Sequence, residues 1–157
     1  MSYQTLTLET DNHVATITLN RPEMMNAFSE QLIWDMGEAT KAVKDDSQIR
    51  ILVITGEGRG FTAGADLSER DASWTDTKDA LERGYYPFIK NIIDMPKPVI
   101  GSINGAAAGI GAAVAMACDL RIMAKEAYIM SVFSNIALVP DGGLSFLLTR
   151  EIGYSRA

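Results

Sequence analysis

Apolar and polar residues alternate in two short stretches near the start of the chain, "YQTLTLE" (Tyr3–Glu9) and "VATITL" (Val14–Leu19), with Asp11-Asn12 between them. Period-two alternation on either side of a turn-forming pair predicts an antiparallel hairpin. The pattern breaks at Pro22 in "NRPEMMNAF". From Ser29 the period lengthens to that of a helix. Leu32, Met36, Ala39 and Val43 form one stripe, Ser29 is placed to cap it, and the polar "KDDSQ" ends it. "IRILVIT" (Ile49–Thr55) is continuously apolar and β-branched, which suits a strand buried on both faces. A glycine-rich loop follows, "GEGRGFTAGADLSER", and then Asp71–Lys78, a polar stretch without a periodic signal. A helix over Asp79–Asp94 places Leu81, Tyr85, Phe88 and Ile92 on one face, and Pro87 inside it predicts a kink or break. Val99–Ile103 reads as a second buried strand. "GAAAGIGAAVAMACD", residues 105–119, reads as a loop running into a helix. "LRIMA" and "YIMSV" are short strands, "VPDGG" is a turn, and Leu144–Ile152 is a last helix.

Strand, glycine loop and helix thus follow one another twice, which points to an α/β fold with a layered sheet. The 157 residues, 47% of them hydrophobic, suffice for one domain with one core, so the expected organisation is a single unit over 1–157. A net charge of −6, with no run of five like charges, argues against a nucleic-acid partner. The lone Cys118 lies in apolar "AMACDL" and reads as a small buried hydrophobe. The first twenty residues lack the layout of a signal peptide. The longest apolar stretch, Ala106 to Cys118, is too short and too glycine-rich to span a bilayer. No membrane partner is therefore expected, and the expected location is the cytoplasm. The closing "GYSRA" carries no capping or turn signal, so the domain is expected to be incomplete at its C-terminus.

The glycines of residues 105–111 admit three readings. The spacing Gly105, Gly109, Gly111 matches the dinucleotide loop of short-chain dehydrogenases, and Tyr86 and Lys90 have the spacing of their catalytic pair. The order is wrong, because that loop should follow the first strand and precede the tyrosine, and Pro87 interrupts the pair. A packing reading, in which small residues let a helix approach a sheet, holds but does not explain why the glycines cluster at the helix start. The third reading is an oxyanion hole. A helix N-terminus presents unpaired N–H groups and partial positive charge. A second small-residue loop, Gly60, Ala63, Gly64 and Ala65 in "GFTAGADL", also follows a buried strand. Two such loops can aim two N–H donors at one carbonyl oxygen and stabilise an enolate.

"LNRPEMMNAF", "VITGEGRGFTAGADL", "PKPVIGSINGAAAGIGAAVAMACDLRI" and "IALVPDGG", in that order, resemble the N-terminal part of a crotonase (enoyl-CoA hydratase/isomerase) superfamily protein. The resemblance covers the whole chain. It implies a spiral of ββα units, an acyl-CoA thioester substrate, further C-terminal helices, and a homotrimer or dimer of trimers. No metal and no cofactor beyond the substrate's own CoA is implied. By match to the motifs, the N–H groups of Ala65 and Ile110 are the oxyanion donors. The backbone around Ala63, Asp66 and Leu67 would hold the adenine end of CoA, and Met25 would line the pantetheine path.

The resemblance also shows a departure. The hydratases of this family use two glutamates to activate water, and at the matching positions this chain has Ala113 ("IGAAVA") and Phe133 ("SVFSN"). One carboxylate remains in that neighbourhood, Asp141 in "VPDGG". The pattern F-S-x-x-x-L-x-P-D-x-G over residues 133–143 is similar to the ring-epoxyphenylacetyl-CoA isomerase branch and to some enoyl-CoA isomerases. There an acid at this position moves a proton between carbons, and isomerase chemistry is the leading expectation. Alternatives are a hydratase with a different water-activating group and an acyl-CoA-binding protein without catalysis. In the second case Asp141 is only a turn residue, as Pro-Asp-Gly often is. Tyr85 and Tyr86 fall where the family covers its acyl pocket, and either set substrate size or pack the core. His13 reads as a solvated loop residue, Glu69, Arg70 and Asp71 as a solvated edge, and Asp119 and Arg121 as a local ion pair.

Overall fold

A computed structural model describes residues 3–68 and 73–157; Glu69, Arg70 and Asp71 lie outside the described residues. The opening alternation forms β1 (Leu6–Asp11) and β2 (Val14–Leu19), paired antiparallel with Asp11 opposite Val14. The two loop residues are therefore Asn12 and His13, one position later than the sequence suggests. Both have positive φ, 46° and 68°, the combination that matches hairpin twist. α1 (Glu30–Asp45) begins where expected, with the Ser29 hydroxyl accepting from Leu32 N at 3.2 Å. Its carboxylate Asp35 reaches back to β1's entry, accepting from Gln4 N, Thr5 N and the Thr5 hydroxyl at 2.9, 2.8 and 2.7 Å.

β3 (Ile51–Gly56), β5 (Val99–Ile103) and β7 (Leu120–Met123) complete a five-stranded sheet in the order β1-β2-β3-β5-β7, parallel beyond the hairpin. β3 is closed on one face only, which corrects the two-sided burial expected of "IRILVIT". Leu52 and Ile54 are fully buried, whereas Ile51 and Val53 are half-exposed. The register explains this: Val53 lies beside Thr16 and Thr55 beside Thr18, so the second face is half polar. A smaller parallel sheet, β4-β6-β8, is built from β4 (Gly60–Thr62), β6 (Ala106–Ala108) and β8 (Tyr128–Met130).

The helix expected over Asp79–Asp94 starts with α2 (Thr77–Asp79), widens to a π-helix over Ala80–Tyr85, and tightens into α3 (Tyr86–Ile93). Tyr86 N donates to Leu81 O, five residues back. Pro87 then sits in the first turn of α3, where its missing N–H costs nothing. The predicted disturbance at Pro87 is thus a wide turn before it rather than a break. Tyr85, Phe88 and Ile92 are buried as the periodicity indicated. α4 (Ile110–Ala117) and α5 (Leu144–Ile152) follow the two remaining loops.

One side chain ties the first loops together. Asn26 is fully buried, with φ at 54°. Its Oδ1 accepts from Arg21 N at 2.9 Å, and its Nδ2 donates to Glu57 O and Gly60 O at 2.9 and 2.8 Å. Its carbonyl accepts from the Thr62 hydroxyl at 2.7 Å. Asn26→Ala removes three hydrogen bonds: Arg21 N and Glu57 O lose this partner in partly buried surroundings, whereas Gly60 O keeps Asn104 Nδ2 at 3.1 Å, and a buried group left unmade costs roughly 1–3 kcal/mol. We expect a total loss of about 3 kcal/mol after relaxation, read as a lower denaturant midpoint at unchanged slope.

Candidate active site

β4 and β6 are neighbours in the small sheet, and each ends in a loop of small residues. The loops touch through backbone. At Gly64, with φ at 97°, a Cβ would stand 2.8 Å from the Ala108 carbonyl oxygen. At Gly105 it would stand 2.0 Å from the Arg59 carbonyl oxygen, and at Gly111 2.5 Å from Thr62 Cγ2. Gly109 differs: its surroundings are open, but φ 54° with ψ −124° is backbone that glycine alone adopts readily. Of the glycines first noticed as a helix-start cluster, Gly105 and Gly111 therefore serve close approach to the β4 segment, and Gly109 serves the backbone turn into α4.

This seating frees two donors. Phe28 N donates to Gly64 O at 2.7 Å and Asp66 N donates to Phe28 O at 3.0 Å. The bridge brackets Ala65 and leaves its own N–H pointing away from Phe28, without a partner among the described residues. Ile110 is the first residue of α4 and has no helical carbonyl behind it to bond. Ala63, Ala65 and Leu67 face outward, while Gly64 and Asp66 turn in. The Asp66 carboxylate is occupied by the Ser68 hydroxyl (2.6 Å), Ser68 N (3.1 Å) and Arg21 Nη1 (3.0 Å). The Ser68 hydroxyl and Arg21 overcome the burial cost and hold its pKa below the ordinary carboxylate value. A ligand at residue 66 can therefore meet only its backbone. Met25, in left-handed conformation, lies over Gly60 beside Arg59 Nε and does not line the cavity described next.

The "VPDGG" turn is seated on the first turn of α4. A Cβ at Gly142 would come within 2.4 Å of Ile110 Cδ1 and 2.9 Å of Ala113 Cβ. Asp141 O accepts from Leu144 N at 2.9 Å, and α5 is fixed by buried Leu144 and Leu147 and by an Arg121–Glu151 ion pair of 2.8 Å. Asp141 itself is half-buried. Its Oδ1 is closed off from solvent and makes no hydrogen bond. Burial raises its pKa above the ordinary carboxylate value. It lies in the wall of a cavity of about 610 Å³, with Leu81, Tyr85, Ile89, Val139 and Gly142 among its neighbours there. Burial, then the charges of Asp141 and Asp66, push the Tyr85 phenol well up, so it stays a neutral donor.

Ala113 and Phe133 are both buried among apolar groups. The expected Asp119–Arg121 pair is not formed: Asp119 accepts from Val99 N at 2.8 Å, and Arg121 turns to Glu151. His13 bonds Gln48 O through Nδ1 at 2.7 Å. Cys118 is buried, its thiol pushed up to about 12 by that burial. Two features escaped the sequence reading. Arg21 is a charged residue two positions after an apolar strand, and that position was its only signal. Gly142, as the contact with Ile110, was hidden because turn chemistry already accounted for a glycine after Asp141. Among the described residues no helix is long and apolar enough to cross a membrane, and no three His, Cys, Asp or Glu side chains gather as a metal site would require.

Comparison with known proteins agrees with this geometry. Residues 9–157 match the family model described as "Enoyl-CoA hydratase/isomerase". The chain is 43% identical over 148 residues to a 1,2-epoxyphenylacetyl-CoA isomerase of Escherichia coli (strain K12), covering 92% of this chain and 56% of that one. It is 38% identical over 157 residues to a probable enoyl-CoA hydratase of Rhodobacter capsulatus, covering all of this chain and 60% of that protein. Its fold superposes on the crystal structure of an enoyl-CoA hydratase from Mycobacterium avium subsp. paratuberculosis K-10 with a TM-score of 0.90 at 29% identity, over 99% of this chain and 62% of that one. The chain thus spans less than two thirds of the length of these relatives. With its two seated glycine loops and a family match over nearly its whole length, the chain belongs to the enoyl-CoA hydratase/isomerase family, the crotonase superfamily.

Proposed function

We propose that this chain carries the core of an acyl-CoA isomerase that shifts a double bond along the acyl group of a CoA thioester. The observation that supports it is the Asp141 carboxyl: buried, unpartnered at Oδ1, in the wall of an apolar cavity, on a turn that touches Ile110. The thioester oxygen accepts hydrogen bonds from the N–H groups of Ala65 and Ile110. These acidify the α- or γ-carbon by stabilising the dienolate. Asp141 takes a proton from one of these carbons, the C–H electrons join the conjugated system, and the proton returns at the other carbon. Atoms and charge balance without an oxidant or added water. The outward-facing Ala63 and Leu67, with the backbone of Asp66 between them, serve the CoA moiety, with Met25 beside it. A name among the relatives, the epoxyphenylacetyl-CoA isomerase, agrees with this chemistry.

Hydratase chemistry is disfavoured on the same grounds. The two positions that carry water-activating glutamates in hydratases hold buried Ala113 and Phe133, and the Asp141 turn packs against Ala113. A glutamate at 113 has to displace that turn.

Incubating the full chain with a 3-enoyl-CoA and a 2-enoyl-CoA separately tests the reading. The expected product has unchanged mass and a shifted double bond; a product heavier by one water overturns it. Asp141→Asn is expected to lower turnover by roughly 10²–10⁴-fold while CoA binding is retained. Because the base must be ionised, kcat/KM is expected to rise with pH along a limb above the ordinary carboxylate range. The stability effect has the opposite sense. A carboxyl whose folded pKa is raised contributes most below its unfolded value and loses that contribution as pH rises through the folded one. Asp141→Asn should therefore raise Tm at neutral pH and not at pH 3. Ala113→Glu is expected to give no hydration and to lower stability by about 3 kcal/mol, through overpacking and burial of a charge.

A further inference from the structure

Tyr85 closes the π-helix, at the one point where the helix through the cavity wall leaves α geometry. Such wide turns often mark functional sites. Here the wide turn presents Tyr85, Leu81 and Tyr86 to the cavity, while Tyr85's ring is clamped by Phe28 and Phe88 at centroid distances of 6.0 and 6.1 Å. The ring is buried, yet its hydroxyl makes no hydrogen bond to any described residue. It lines the same cavity as Asp141 and lies within range of that charge, although Asp141 Oδ1 itself is closed off. The other polar groups there are of a different kind. Tyr86 is mostly exposed, Glu82 is exposed, and Lys90 is paired with Asp94, so all three stand at the rim.

Core packing alone asks for phenylalanine at this position, since nothing in the protein uses the oxygen. A hydrocarbon chain filling the cavity strips water from the phenol and offers no acceptor in return, which is costly for a buried donor. A site with a donor aimed into it discriminates strongly between substrates that do and do not accept from it.

We propose that the Tyr85 hydroxyl is a specificity-determining donor that selects acyl groups carrying an ether, hydroxyl or keto oxygen near the reacting carbons. This rests on the acyl-CoA reading above, but its test needs no turnover. Saturated acyl-CoAs of one length, in which a single methylene is replaced by an ether oxygen at successive positions, are titrated calorimetrically against the full chain and its Tyr85→Phe variant. The unsubstituted acyl-CoA is the reference. The expected result is that one oxygen position binds at least 10-fold more tightly than the reference, and that Tyr85→Phe removes this preference while binding the reference more tightly than the parent protein does. Equal binding at all positions, or a preference that survives in Tyr85→Phe, overturns the inference and leaves the role of Asp141 untouched. Failure of every acyl-CoA to bind overturns both. Phenylalanine keeps the packing on Phe28 and Phe88, so thermal unfolding of the variant serves as the check on folding.

Discussion

Main chain has to lie against main chain where β4 and β6 run side by side, both where these strands begin and where they end, and most of the molecule is arranged around that requirement. The Ala108 carbonyl occupies the space that a side chain at Gly64 would need, and the Arg59 carbonyl the space at Gly105. Contact this close leaves no room for adjustment by rotamers, so the loops must be held from outside. Asn26 does this for the first loop with hydrogen bonds to both ends of the preceding segment. Arg21 does it from beneath, by neutralising a carboxylate that would otherwise be buried and unpaired. α4 is held by its burial, with seven of its eight residues inside. The small sheet lets both loops leave side by side, from neighbouring β4 and β6.

How much of this could be read from sequence depended on the range of the cause. Local causes were legible. Ser29 as a cap, the helix stripe of α1, the strand Val99–Ile103 and the helix Leu144–Ile152 all follow from neighbours within a few residues. The second face of β3 was misread because its polarity is set by Thr16 and Thr18 across the sheet, and a continuous apolar run contains no sign of its partner strand. The π-turn was half legible. Pro87 announces that a hydrogen bond must be lost, but not whether the helix will break or widen. In the candidate site, Asp141 and the two glycine loops were named from motifs, whereas the contact of Gly142 with Ile110 was not. It joins residues 32 positions apart through a glycine that already had a sufficient local explanation.

Asp141 and Asp66 show how environment assigns different work to the same side chain. Both are acidic residues next to a glycine-bearing turn. Asp66 is surrounded by donors and is held ionised, which locks a loop. Asp141 is given none for Oδ1 and is held closer to the neutral form. The first arrangement stabilises the fold, and the second stores free energy at the place where the proposed proton transfer needs a stronger base.

The two unpartnered N–H groups belong to the main chain, and this has a consequence for how such a site changes over time. No substitution deletes a peptide N–H except one to proline, so exposed residue 65 can drift without loss of its donor, while residue 110 is held to a side chain that fits its buried place against the Asp141 turn. An insertion or deletion in either loop, by contrast, moves both the donors and the contact that aims them. The side chain at 141 can be exchanged without touching either donor, whereas 113 and 133 are buried and accept only a replacement that fits. A chain of this kind can change the polar side chains around the seam while keeping its two backbone donors in place.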